Sequence, residues 1–182
     1  MKKLLLTLLL PLIAFSSVSY GEEIKSLFGI SLYDNAEKYV SSNYINANKV
    51  KNKETIEGYF DLTMTDKIKI KSPYASYYEI TIDNENRIHS IYGDSIVNNL
   101  DICLKTQKDL LSQLEEKYQI EFEYWENTYP TFTIFRNYQL TRSLLFFIQC
   151  NEFYDDPSIY RQISLSTILL MDEKNDFYNA GL

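Results

Sequence analysis

Only two cysteines occur among the 182 residues, and the pattern around each one restricts the fold more than any other feature of the chain. The stretch LLFFIQC, Leu144 to Cys150, is apolar on both faces of a strand, and alternation places Leu144, Phe146, Ile148 and Cys150 on one side. Cys103 falls instead in a stripe of helical period made by Leu100, Cys103, Leu104, Leu111, Leu114 and Tyr118. Lys105, Lys108, Asp109, Glu115 and Glu116 mark the opposite side of that helix. A helix over 98–118 laid on the sheet points both sulfurs into one layer, which reads as a Cys103–Cys150 disulfide in an oxidising compartment. Closing a loop of about 48 residues stabilises a fold by roughly 4 kcal/mol in the chain-entropy description. Two cysteines and one histidine do not complete an ordinary structural zinc site, so no metal is expected.

The N terminus supplies the reason for that compartment. In MKKLLLTLLLPLIAFSSVSYGEE, Lys2 and Lys3 precede an apolar stretch from Leu4 to Phe15, and small residues follow at Ser19 and Gly21. That is the layout of a secretory signal peptide over residues 1–21, and the stretch falls short of the roughly 20 residues that cross a bilayer. Residues 22–182 are then expected as a single domain, periplasmic or secreted, without a membrane segment. Loss of the two lysines moves the formal net charge from −7 to −9. Such a balance opposes nucleic acid and anionic lipid surfaces and favours a basic partner.

With only five glycines and four prolines, the chain offers no linker that would divide this domain. YDNAEKYVSSNY predicts a first helix capped by Asp34, with Glu37 three residues on and Ala36, Tyr39, Val40 and Tyr44 in one stripe. Strand alternation follows: Phe60, Leu62 and Met64 in YFDLTMT, Ile68 and Ile70 between Lys67, Lys69 and Lys71, then Tyr78, Ile80 and Ile82. A polar turn over 83–86 closes a hairpin, on whose return strand Ile88 and Ile91 cannot both face inward without a bulge. After the long helix, four strands are expected around IEFEYW, TFTIFRNY, SLLFFIQC and RQISLSTILL, the third of them central or doubly covered. The expected fold is α+β: antiparallel sheet(s) of about seven to eight strands packed by two helices, with one disulfide. Helix-then-strands order in 30–95 and again in 96–172 suggests a tandem repeat.

Motifs for chemistry are few. His89 is the only histidine, so any Ser-His-Asp arrangement must use it, and its place on the return strand predicts an exposed side chain. Gly93-Asp94-Ser95 resembles the opening of the Gly-Asp-Ser block of a serine-esterase family, whose Asp-x-x-His partner block is missing here. Paired acids such as Asp155 and Asp156 lack calcium-loop spacing, and no phosphate loop, metalloprotease helix or dinucleotide fingerprint occurs. No catalytic residue and no cofactor is therefore assigned. The stretch that stands out is EFEYWENTYPTF. With Phe122 and Tyr124 toward the core, Glu121, Glu123 and Trp125 share the outer face, followed by Glu126 and Tyr129. Aromatic rings among acids suit a basic protein, the rings supplying contact area and the carboxylates steering. The competing reading is a Trp125 covered by a neighbouring element.

LFGISLYDNAEKYV resembles the opening of small helix-then-sheet envelope modules, including those of tandem β-lactamase-inhibitor architecture, in which Gly-Ile-x-Leu precedes a capped helix. Tyr33 stands where those modules usually carry glycine. The resemblance implies the same α+β layout. Taken together, the sequence points to an exported protein-binding module of the inhibitor or immunity kind, docking a basic partner through Glu121, Glu123, Trp125, Glu126 and Tyr129. An envelope protein that binds a glycan or lipid fragment is the second reading, and a hydrolase using His89 or a carboxylate pair is the third.

Overall fold

The computed structural model describes residues 23–51, 57–67, 72–156 and 158–167. The expected signal peptide, the strand through Ile68 and Ile70 and the end of the last strand beyond Thr167 lie outside the described residues. The elements run β1 (Ser26–Leu27), β2 (Ile30–Ser31), a 3-10 turn (Ala36–Lys38), α1 (Ser42–Asn48), β3 (Tyr59–Thr63), β4 (Tyr77–Asp83) and β5 (Ile88–Val97). There follow α2 (Leu100–Tyr118), β6 (Glu123–Thr128), β7 (Phe132–Leu140), β8 (Leu144–Phe153) and β9 (Ile159–Thr167).

Strands β3 to β9 make one seven-stranded antiparallel sheet in the order β3-β4-β5-β9-β8-β7-β6, and β1 and β2 form a separate ribbon. Helix-then-strands order holds in both halves. The last strand of each half, β5 and β9, pair at the centre from Ser90 opposite Ser166 to Val97 opposite Ile159. The first strand of each half, β3 or β6, is therefore an outer edge. β8, whose first half is apolar on both sides, lies inside the sheet, between β9 and β7.

α2 begins where Asn99 Oδ1 accepts the N–H groups of Asp101 and Ile102, and ends at Gln119, whose φ of 53° stops the helix. Cys103 and Cys150 form the expected disulfide, buried with Ile159 and ringed by Val97, Leu100, Leu104 and Phe135. One buried member of the helix stripe is polar. Gln107 Nε2 reaches Ile148 O and Asn137 Oδ1, both at 2.9 Å, which ties the helix to β8 and β7.

The first predicted helix is two pieces. Asp34 is not its cap: Asn35 Oδ1 accepts the Glu37 N–H at 2.8 Å to start the 3-10 turn, and Ser41 Oγ accepts the Tyr44 N–H at 3.2 Å to start α1. These short polar side chains offer the backbone local partners, which breaks the helix between them. Asp34 instead takes hydrogen bonds from Lys38 Nζ and the Tyr39 hydroxyl. Ala36, Val40 and Ile45 still reach the core.

The bulge falls where the return strand requires it. Thr81 pairs with Ser90 and Ile82 with Ile88, so His89 is the extra residue and both Ile88 and Ile91 are buried. The β1–β2 ribbon has no counterpart in the sequence reading. Phe28 and Gly29, both at positive φ, make its two-residue turn. The Phe28 ring then lies edge-on to Tyr78, with centroids 4.9 Å apart.

Candidate functional site

The registers divide the sheet into two unlike faces. Leu62, Ile80, Ile91, Ile163 and Phe146 share one face with Cys150, and α1, α2 and the β1–β2 ribbon pack there. Among the described residues no helix or ribbon lies on the other face.

That open face is laid down by a repeated local pattern. In a strand, residues two apart share a face, so Tyr-x-acid brings a phenol beside a carboxylate. The Tyr77 hydroxyl donates to Glu79 at 2.8 Å on β4, and the Tyr92 hydroxyl to Asp94 at 3.3 Å on β5. Across strands, the Tyr138 hydroxyl donates to Glu123 at 2.6 Å. Burial holds the Asp94 carboxyl above its ordinary range, and burial followed by the charge of Asp94 pushes the Tyr92 phenol well up. Asp61, Glu79, Asp83, Asp94 and Glu123 belong to this face, with Arg136 as the one arginine or lysine on its described strands.

A belt of amides crosses the middle. Arg136 Nε donates to Gln149 Oε1 at 2.6 Å, Gln149 Nε2 to Gln162 Oε1 at 2.5 Å, and Asn151 Nδ2 to the same Gln162 oxygen at 3.0 Å. The Arg136 guanidinium lies 5.3 Å from the centre of Trp125 and 4.8 Å from that of Phe147. At the far end Tyr129, Phe132, Phe153 and Tyr160 form a row of rings with successive centroids 4.6, 5.3 and 5.4 Å apart. The polar groups of the belt satisfy one another, so the face is held in one arrangement before anything binds.

Of the residues singled out in EFEYWENTYPTF, Glu123 and Trp125 lie on the open face and Tyr129 heads the row of rings. Glu121 is exposed ahead of β6, and Glu126 is on the opposite side of that strand. Tyr124 does not face the core, being 58% exposed. β6 is the outermost strand, and it is Phe122, just before it, that packs inward on Phe146 at 5.5 Å. Partial burial and then the hydrogen bond to Glu126 push the Tyr124 phenol up to about 12. Trp125 is half-buried against Arg136. Tyr77, Tyr92, Asp94, Phe147 and the amide belt were not anticipated, although the Tyr-x-acid spacing was there to be read.

His89 is not exposed but 7% accessible. Its Nε2 lies 3.1 Å from Asp83 Oδ2, the rings of Tyr33 and Tyr59 meet it edge-on, and Nδ1 has no partner. The Gly-Asp-Ser tripeptide is taken up by packing. Gly93 lies under Phe28, Asp94 points to the open face, and Ser95 Oγ accepts from Arg161 Nη2 at 3.1 Å in the covered layer. His89 thus has Asp83 but not Ser95 as a partner. Among the described residues no cluster of three or more His, Cys, Asp or Glu side chains is placed to hold a metal, and no helix is long and apolar enough to cross a membrane. No protein-family model, curated protein or solved structure matches the chain.

Proposed function

We propose that this is an exported binding module of the inhibitor or immunity kind, which docks a basic polypeptide on the open face of its sheet. The observation that carries the reading is the composition of that face: five carboxylates, of which Asp83 is paired with Arg87 just beyond β4, against one arginine on the strands, interleaved with tyrosines and held by a self-satisfied amide belt. Carboxylates around aromatic rings speed the approach of a cationic surface, and the rings supply the buried contact area. Residues 1–21 act as the export signal, and the disulfide fits the oxidising periplasm or medium to which they lead.

The test uses basic exported proteins as analytes over the immobilised protein, compared with Asp94→Lys and Tyr92→Ala. The reading expects a partner whose association rate falls about tenfold between 50 and 200 mM salt, and whose affinity drops about a hundredfold in Asp94→Lys. Binding indifferent to salt and to both substitutions would overturn it. A glycan is the second reading, favoured by the Arg136–Gln149–Gln162 belt between aromatic groups. A thermal shift with cell-wall oligosaccharides, abolished by Gln162→Ala, supports that reading instead.

A further inference from the structure

The outer edge of β6 offers a surface separate from the open face. Tyr129 N–H donates to Phe132 O at 2.7 Å, in the register that sets Thr128 opposite Thr133. Antiparallel pairs alternate, so Glu123, Trp125 and Asn127 turn their main-chain groups toward β7, while Tyr124, Glu126 and Thr128 turn theirs outward. No described strand pairs with that edge. The opposite edge of the sheet is closed in part by Val50, which exchanges hydrogen bonds of 2.9 and 3.0 Å with Asp61. A row of outward donors and acceptors is a template for another strand.

The residue order of β6 selects which strand. Laid antiparallel on a second copy about Trp125, Glu121 comes opposite Tyr129, Glu123 opposite Asn127 and Glu126 opposite Tyr124, with Trp125 against its own equivalent. Each acid meets a tyrosine or an amide, and none meets an acid. The outward residues Tyr124 and Glu126 then face each other as the hydrogen-bonded pairs, which the geometry requires. Centring on Glu126 also matches the outward groups but sets that carboxylate against itself, which cross-strand energetics disfavour. Tyr124 and Glu126 already bond along one strand at 2.6 Å, so each copy presents both donor and acceptor on the same side.

We infer that two copies of this chain associate through β6 about a twofold axis at Trp125, joining their sheets into one and leaving both open faces free on the same side. A six-residue edge buries well below the roughly 1,600 Å² of a standard interface, so the association is weak and concentration-dependent. The two Glu126 carboxylates lie on a diagonal of the pair, so added salt strengthens it, opposite to its effect on a basic partner.

Sedimentation of the purified protein across micromolar to near-millimolar concentration, with two variants, decides the matter. Glu126→Pro removes the outward N–H and, with the carboxylate, the exposed hydrogen bond from Tyr124, but no bond to β7, and is expected to stay monomeric throughout with a melting midpoint close to that of the wild type. Trp125→Cys sets two thiols on a pair whose Cα atoms are about 4.5 Å apart, and is expected to give a covalent dimer in air that reductant dissolves. A wild-type monomer at the highest concentration, a Glu126→Pro variant that dimerises as well as wild type, or a Trp125→Cys variant that never cross-links would each overturn the inference. Because Asp94 and Tyr92 are three or more strands from this edge, failure here leaves the docking reading untouched, and the reverse.

Discussion

Gly93 lies beneath the Phe28 ring, where an added methyl would come 2.5 and 2.8 Å from two ring carbons and 2.9 Å from the Ala75 Cβ. Ring and backbone turn are both pinned, so Gly93→Ala should cost about 1–3 kcal/mol by overpacking, read as a fall in denaturation free energy. A change below about 0.5 kcal/mol would show that the ribbon moves aside freely. Two carboxylates make opposite predictions. Burial pushes Asp83 up, but hydrogen bonds from the Arg87 backbone and side chain, His89 and the Glu85 backbone outweigh it and hold the carboxyl below its ordinary value. Asp83 thus adds stability above its unfolded pKa, and that stability is lost as pH falls through the folded one. Asp94, raised by burial, is destabilised by its own ionisation: that penalty is complete above its folded pKa and vanishes below the unfolded value. Asp83→Asn should therefore lower stability at pH 7 and Asp94→Asn raise it, with both differences shrinking at pH 3. Chemical denaturation at the two pH values reads both.

At the level of elements, the disulfide and Gln107 hold α2 to β8, and the apolar stripe supplies the rest of that contact. Replacing Cys103 and Cys150 together by serine should cost about 2–4 kcal/mol, since the bridge closes a long loop in the unfolded chain. The measurement is urea denaturation of the double variant against the oxidised wild type, and reductant should have no effect on the variant. The long helix was legible because nineteen residues carry a sustained period with caps at both ends. The first was not, because Asn35 and Ser41 each capture a backbone N–H within a few residues and override the stripe. Tyr124 was misassigned for a related reason. Alternation says which residues share a face, but not where a strand begins relative to its neighbours.

For the whole molecule, the decisive contact is β5 against β9, which merges the two halves into one sheet. Each half alone would expose one of these buried strands as a free edge carrying Ile91 or Ile163. Residues 22–98 and 99–182 expressed separately should therefore show no cooperative melting, while mixing them should restore a transition. Cooperative melting of either half by itself would contradict the single-sheet architecture. The same contact spreads the open face over both halves, bringing Asp94 and Tyr92 of the first beside Gln162 and the amide belt of the second.

By itself the sequence determined the strand and helix periods, the bulge that lets Ile88 and Ile91 both turn inward, and the pairing of two cysteines that share a layer. Only the tertiary structure decided the strand order, the burial of His89, the loss of a common face among Glu121, Glu123, Trp125, Glu126 and Tyr129, and which side of the sheet is left without a helix or ribbon among the described residues. The reason is physical. Periodicity is written in neighbouring residues, whereas register, edge position and cover come from pairings between residues as distant as Ser90 and Ser166, and amphipathic strands alone are compatible with several such pairings.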